Sequence, residues 1–224
     1  MATLLMRLAG PMQSWGTTSR FDERDTQLEP SKSGVLGLVC AALGRDRAEP
    51  VADLAALRMA VRVDREGIPM RDYHTATGVV ASSGKADANR TVVSQRYYLS
   101  DAVFLVALEG DRELLAQVHN ALRTPHWPLC LGRKSFAPSC PVFMPEGLCD
   151  GGLLDVLGSA ALLTEQDGSG NTPQRRVVIE DAEEGTVRVD QPIAPFSERR
   201  FGPRFVKTFD LKLEVGNVSD TTDA

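Results

Sequence analysis

The stretch from Ala102 to Pro125 constrains the fold more than any other part of the chain. Ala102–Glu109, in "DAVFLVALEG", is an apolar run that predicts a strand. "DRELLAQVHNALRTP" then sets Leu114, Leu115, Val118 and Leu122 on one face of a helix, and Pro125 stops it. A strand leading into a one-faced helix is a unit of layered α and β architectures. The segments before it fit the same pattern. Thr3–Ala9 reads as an apolar strand ended by "GPMQSWG", and residues 17–30 read as a polar loop of mixed charge. "PSKSGVLGLVCAALG" predicts a helix over Ser33–Leu43, capped by Ser31 or Ser33 and closed by Gly44. Its internal glycines, Gly34 and Gly37, each cost about 1 kcal/mol relative to alanine. They admit a close neighbour there, either packed protein or a ligand.

"EPVADLAAL" reads as a short helix, and "RMAVRVDRE" alternates apolar and charged residues as a half-buried strand does. Residues 81–95 are small, polar and weakly patterned, which predicts a protruding arm. "PVFMPEG" reads as a strand. Residues 1–145 therefore run strand, helix, strand, strand-like arm, strand, helix, loop, strand. The class is α+β, compatible with a ferredoxin-like (RNA-recognition-type) βαββαβ sheet carrying insertions. Residues 146–215 begin with a short helix in "GGLLDVLGSAALL". They continue through "RRVVIED", "GTVRVDQ" and "RFVKTFDLKLEV", which predict a small C-terminal β region. The tail, 216–224, reads as disordered.

Charge narrows the partners. The chain carries a formal net charge of −5, but residues 1–145 hold 17 Lys/Arg against 15 Asp/Glu. Residues 146–224 hold 8 against 15, so the acidity lies in the last third. A local basic patch for nucleic acid is compatible with that balance. No apolar run reaches the roughly 18 residues of a membrane span. Arg7 breaks the apolar N-terminus, which reads as a strand and not as a signal peptide. A cytoplasmic protein with reduced thiols is expected. The four cysteines form no C-x-x-C pair and there are three histidines, so neither a zinc site nor another cofactor is expected.

No P-loop, G-x-S-x-G, H-E-x-x-H or G-x-G-x-x-G occurs. Four basic or aromatic constellations remain. In "LGRKSF", Gly132 lets backbone N–H groups approach a phosphate, Arg133 can fork two oxygens and Lys134 adds a point charge. A merely solvated basic loop is the plain alternative. In "RDYHT", His74 beside Arg71 and Tyr73 suits acid–base chemistry or base stacking, or else a histidine tied to Asp72. "SQRYYL" joins Arg96 to two tyrosines that face opposite sides of a strand, so at most one stacks on a base. The arm contributes Lys85 and Arg90. The N–H groups at the start of the first helix, beside Lys32, offer an anion site or plain packing.

Five segments occur together in the order and at the spacing of one family. They are "MRLAGPMQSWG", "SKSGVLGLVCAALG", "MRDYHTATG", "SQRYYLSDAVFLVAL" and "LCLGRKSFAPSCPVF". They resemble the CasD family, the RAMP subunit of type I-E CRISPR Cascade that binds the five-prime handle of CRISPR RNA (crRNA). The resemblance covers Met1 to Phe143 and weakens beyond. It implies a modified ferredoxin-like domain with a β-hairpin thumb at about 75–96 and a small C-terminal β region. It implies a grip on the crRNA five-prime handle beside a Cascade backbone subunit and the Cascade large subunit, with no membrane partner and no catalysis. The RNA-binding residues expected on this reading are Gln13, Trp15, Ser31, Lys32, Ser33, Arg71, Tyr73, His74, Lys85, Arg90, Arg96, Gly132, Arg133, Lys134 and Ser135. The acidic "FDERDTQLEP" departs from what RNA proximity favours. The competing function is a metal-independent endoribonuclease that processes CRISPR precursor RNA, with His74 or Tyr73 as acid or base and Lys134 steadying the phosphate.

Overall fold

A computed structural model describes residues 1–18, 22–80, 84, 89–164 and 174–213. Its strands are β1 (Ala2–Ala9), β2 (Met12–Gln13), β3 (Glu23–Arg24), β4 (Arg58–Arg65), β5 (Ile68–Thr77), β6 (Thr91–Ser100), β7 (Val103–Gly110), β8 (Leu148–Asp150), β9 (Gln174–Glu180), β10 (Thr186–Pro192) and β11 (Phe201–Lys212). Its helices are α1 (Lys32–Leu43), α2 (Ala52–Ala55), α3 (Arg112–Arg123) and α4 (Leu153–Ser159). The protein is a mixed α+β fold dominated by a seven-stranded sheet of order β10-β11-β9-β4-β7-β1-β8. All of its pairings are antiparallel. A second sheet is built on β6, which pairs with β5, β2 and β3.

Strand alternation explains the layers. Leu4, Met6 and Leu8 of β1, Met59, Val61 and Val63 of β4, and Phe104, Val106 and Leu108 of β7 pack with α1 and α3. The residues between them, Leu5, Ala60, Leu105 and Ala107, pack with α4. Both faces of the central strands are covered, so β1 and β7 read as near-continuous apolar runs, while β4 buries charged residues among its apolar ones. This corrects the half-buried reading of β4. Arg62, expected to face water, is 0% exposed. It pairs with Asp64 at 2.7 Å and donates to the carbonyls of Leu157, Ala160 and Ala161 at the C-terminal end of α4. A cation there meets the negative end of the helix dipole.

α1 and α3 start as their sequences predict. Ser31 Oγ accepts from the Gly34 N–H and Asp111 Oδ2 from the Leu114 N–H. Two expectations change. The "PVFMPEG" segment forms no strand. Val142 and Gly147 each accept one bond from β1, at Arg7 and Leu5, but Pro141 and Pro145 prevent a ladder. The strand that pairs with β1 on the edge away from β7 is β8, at Leu148–Asp150. The C-terminal strands form no separate sheet either: β9 bonds to β4 through Ala60↔Ile179, Val61↔Val178 and Arg62↔Val177. The expected tail at 216–224 lies outside the described residues. No helix among the described residues is long and apolar enough to cross a membrane.

Candidate nucleic-acid interface

β5 and β6 form a long hairpin; of the arm expected at 81–95, residues 81–83 and 85–88 lie outside the described residues. β5 and β6 pair from Ile68↔Ser100 to Thr77↔Thr91, so the hairpin starts earlier and ends later than the 75–96 read from the sequence. Cross-strand partners share a face, which sorts its side chains. One face carries Arg71, Tyr73, Gln95 and Tyr97, with Arg71 Nη1 and Tyr97 Oη both reaching Gln95 Oε1. Tyr73 is 69% exposed. The other face carries Asp72, His74, Ser94, Arg96 and Tyr98. Tyr98 packs on Phe136 with ring centroids 5.9 Å apart, rooting this face in the core. The two tyrosines therefore split as the strand period predicts: Tyr98 packs inward and Tyr97 lies on the opposite face.

The basic glycine loop docks against the root of this hairpin. Leu131 bonds to Ser14 and to Phe136, and Phe136 N–H donates to the Arg133 carbonyl. Gly132 has φ +90°, and a Cβ there would lie 1.7 Å from the Ser14 carbonyl oxygen. The glycine is thus required by the approach of the Ser14 backbone, with no ligand invoked. Arg133 donates to the carbonyls of Tyr97 at 2.8 Å and Arg24 at 3.2 Å, and its guanidinium lies 5.4 Å from the Phe136 ring centroid. Burial lowers its pKa from the usual arginine value, and the nearby Arg96 and Arg24 charges add to that; Asp72 and Asp25 oppose it. Arg133 therefore braces the loop. Lys134 and Ser135 are exposed, and Lys134 forms no ion pair among the described residues.

Arg24 is the residue that sequence reading missed. It sits inside the acidic "FDERDTQLEP", whose overall charge masks it. The parallel pairing of β3 with β6 sets Arg24 opposite Arg96. Arg24, Arg96 and Arg133 thus converge where β3, β6 and the loop meet. Among the described residues none of the three forms a salt bridge, whereas Arg45, Arg58, Arg62, Arg176 and Arg204 all do. Among the described residues the Arg96 side chain bonds to Ser94 Oγ at 3.1 Å.

The start of α1 does not face outward. Lys32 is 2% exposed and pairs with Glu180 at 2.9 Å; burial pushes its ammonium pKa down against the pull of that carboxylate. The Lys32 backbone N–H donates to Asp190 Oδ2, and Asp190 is also bound by Arg204. The anion at this helix N-terminus is therefore a carboxylate from β10, placed by the C-terminal strands. Glu29, equally buried, pairs with Arg176 and Arg188. Ser31 is used as the cap, and Ser33 is half-buried. Gln13 is 0% exposed and donates to the carbonyls of Leu8 and Ala102. Trp15, 1% exposed, covers Gly34, where a Cβ would meet its ring at 2.8 Å. Gln13, Trp15, Ser31 and Lys32 are thus buried supports of the fold here, a correction to their placement at an RNA surface. Arg90 is exposed at the outer end of the hairpin, and Lys85 lies outside the described residues.

Residues 3–207 match the family described as CRISPR-associated protein (Cas_Cas5). The chain belongs to this Cas5 family. The matched span takes in the hairpin, the glycine loop and most of β11. Among the relatives of this Cas5-family chain, the CRISPR system Cascade subunit CasD of Escherichia coli (strain K12) is 35% identical over 161 residues, covering 65% of this chain and 70% of that protein. A crystal structure of a Cas protein is 50% identical, with a TM-score of 0.76 over 94% of this chain and 95% of that one. A chain of a CRISPR RNA-guided surveillance complex is 33% identical, with a TM-score of 0.79 over 94% and 90%.

Proposed function

We propose that this Cas5-family chain is a non-catalytic RNA-binding subunit of a Cascade-type CRISPR surveillance complex. It grips the five-prime handle of crRNA and caps the guide-bound filament. The observation that carries this reading is the convergence of Arg24, Arg96 and Arg133 without a carboxylate salt bridge among the described residues, beside the exposed Lys134. Like charges held this close repel one another, and a phosphate backbone relieves the repulsion while releasing its own counterions. Tyr73, Arg71 and Arg90 on the hairpin offer stacking faces and further charge. The relationship to CasD and to a chain of an RNA-guided complex supports the same reading.

In this proposal the hairpin is a thumb on a ferredoxin-like unit. The order β8-β1-β7-β4 for a chain running β1, α1, β4, β7, α3, β8 supports that description. The complex is cytoplasmic, with the backbone and large subunits as neighbours.

The test is titration of the purified protein with handle-bearing crRNA at several salt concentrations. Arg96→Ala and Lys134→Ala are each expected to weaken binding and to reduce the salt slope by about 0.7, the value for one contact to a single-stranded phosphate. Unchanged affinity and slope in both would overturn the reading. Repeat RNA is also incubated with wild type in chelator. Cleavage that His74→Ala abolishes would replace the non-catalytic assignment with the nuclease one.

A further inference from the structure

The β10–β11 end of the large sheet has one face closed and one open. Asp190, Arg204 and Val206 point toward α1 and are buried. The opposite face pairs Val187 with Phe205 and Val189 with Pro203. Val187 is 58% exposed, Val189 52% and Phe205 43%. This is the side of the sheet that α4 covers further in, over β4, β7 and β9. Among the described residues no β10 side chain joins the cluster that packs with α4, and Leu154 of α4, 39% exposed, lines a cleft of about 850 Å³ together with Phe205 and Phe209. Aromatic and β-branched side chains in contiguous exposed array mark interaction surfaces more than isolated exposed residues do.

The charges around the cleft select the occupant. Its two solvent-facing cations are already engaged: Arg58 by Glu109 and Lys207 by Glu184. Asp181 and Glu183, in the turn between β9 and β10, line the same cleft and form no salt bridge among the described residues. Asp181 spends its carboxylate on the N–H groups of Glu183 and Glu184, which fixes the turn but leaves its charge in place. An acidic rim repels a phosphate backbone and attracts lysine or arginine. The surface is also built from elements other than the arginine cluster on β3, β6 and the glycine loop.

We infer that the open face of β10–β11, with the α4 cleft, docks a protein partner through an apolar segment flanked by lysine or arginine. Resting on the function proposed above, that partner is another protein subunit of the same surveillance complex. The chain then uses two separate surfaces, a basic one for RNA and an apolar, acid-rimmed one for protein.

The test uses the complete complex, assembled by co-expression with crRNA and read by native mass spectrometry and RNA quantification. Phe205→Lys combined with Val187→Lys adds charge to the open face. Glu183→Arg changes only the rim. The expected result is loss of one identified protein subunit with the double variant, crRNA still bound to the remainder. Glu183→Arg is expected to lose the same subunit at a lower salt concentration than wild type does. Unchanged composition in both variants, with wild-type circular dichroism, overturns the inference. Loss of crRNA with every protein retained overturns it in favour of an RNA surface. Dimerisation of the isolated wild-type chain that the double variant abolishes, without subunit loss, overturns it in favour of a second copy. Failure of the wild-type complex to retain crRNA would count against the proposed function instead, so the two failures are distinct.

Discussion

Gly132 holds the glycine loop through geometry that no side chain tolerates. With φ at +90° and the Ser14 carbonyl oxygen 1.7 Å from where a Cβ would stand, Gly132→Ala adds a steric collision to backbone strain of about 1–3 kcal/mol. Urea unfolding of this variant is expected to show a loss of at least that size, with RNA binding reduced because Arg133 moves with the loop. Cys40 gives a pH-dependent prediction. Burial pushes its thiol up to about 11, while the unfolded thiol ionises near 9. Between these values the unfolded chain has released the proton and the folded chain keeps it, so stability falls as pH rises through that window. The full effect is about 2–3 kcal/mol. Lys32, pushed down by burial, acts in the opposite sense, so the measured quantity is the difference between wild type and Cys40→Ala. The variant is expected to lose less stability between pH 9 and 11. At this scale the sequence identified residue types well and roles poorly. Arg133 and Lys134 are adjacent in the chain, yet one is tied to two carbonyls and the other is exposed to solvent. Nothing local distinguishes them, because the difference is made by Tyr97 and Arg24 arriving from far away in sequence.

At the scale of elements, periodicity was legible where a helix or strand buries one stripe. α3 and β7 follow their apolar patterns, and the hairpin alternates faces as its tyrosines require. β4 was misread because alternation of charge and apolar residues normally means one wet face. Here Arg62 pairs with Asp64 two residues along the same strand face and is buried against the carbonyls that end α4, and only tertiary structure brings those carbonyls there. Replacing it with alanine strands the fully buried Asp64 carboxylate and is expected to cost about 3–5 kcal/mol in chemical denaturation. Arg62→Ala with Asp64→Leu is expected to recover part of that loss. The start of α1 carries the same lesson. Free N–H groups beside a lysine suggest an anion site, and the anion turned out to be the chain's own Asp190.

At the scale of the whole molecule, the hydrogen bonds between β9 and β4 make the C-terminal third part of one sheet. Composition set that third apart by its acidity, but charge reports on surfaces and partners and says little about which strands pair. A fragment ending at residue 145 would expose the edge of β4 and leave Glu29 and Lys32 without Arg176, Arg188 and Glu180. Such a fragment is expected to show the circular dichroism of an unfolded or molten chain, and a native-like, cooperative melt would count against the single-sheet description. The salt bridges that join the two parts are specific in side-chain identity at both ends, whereas Arg62 grips backbone carbonyls that any sequence supplies. Chimaeras between relatives, exchanging everything after residue 145, should therefore tolerate divergence around α4. They should fail unless positions 29 and 32 travel with 176, 180 and 188 as one inherited block.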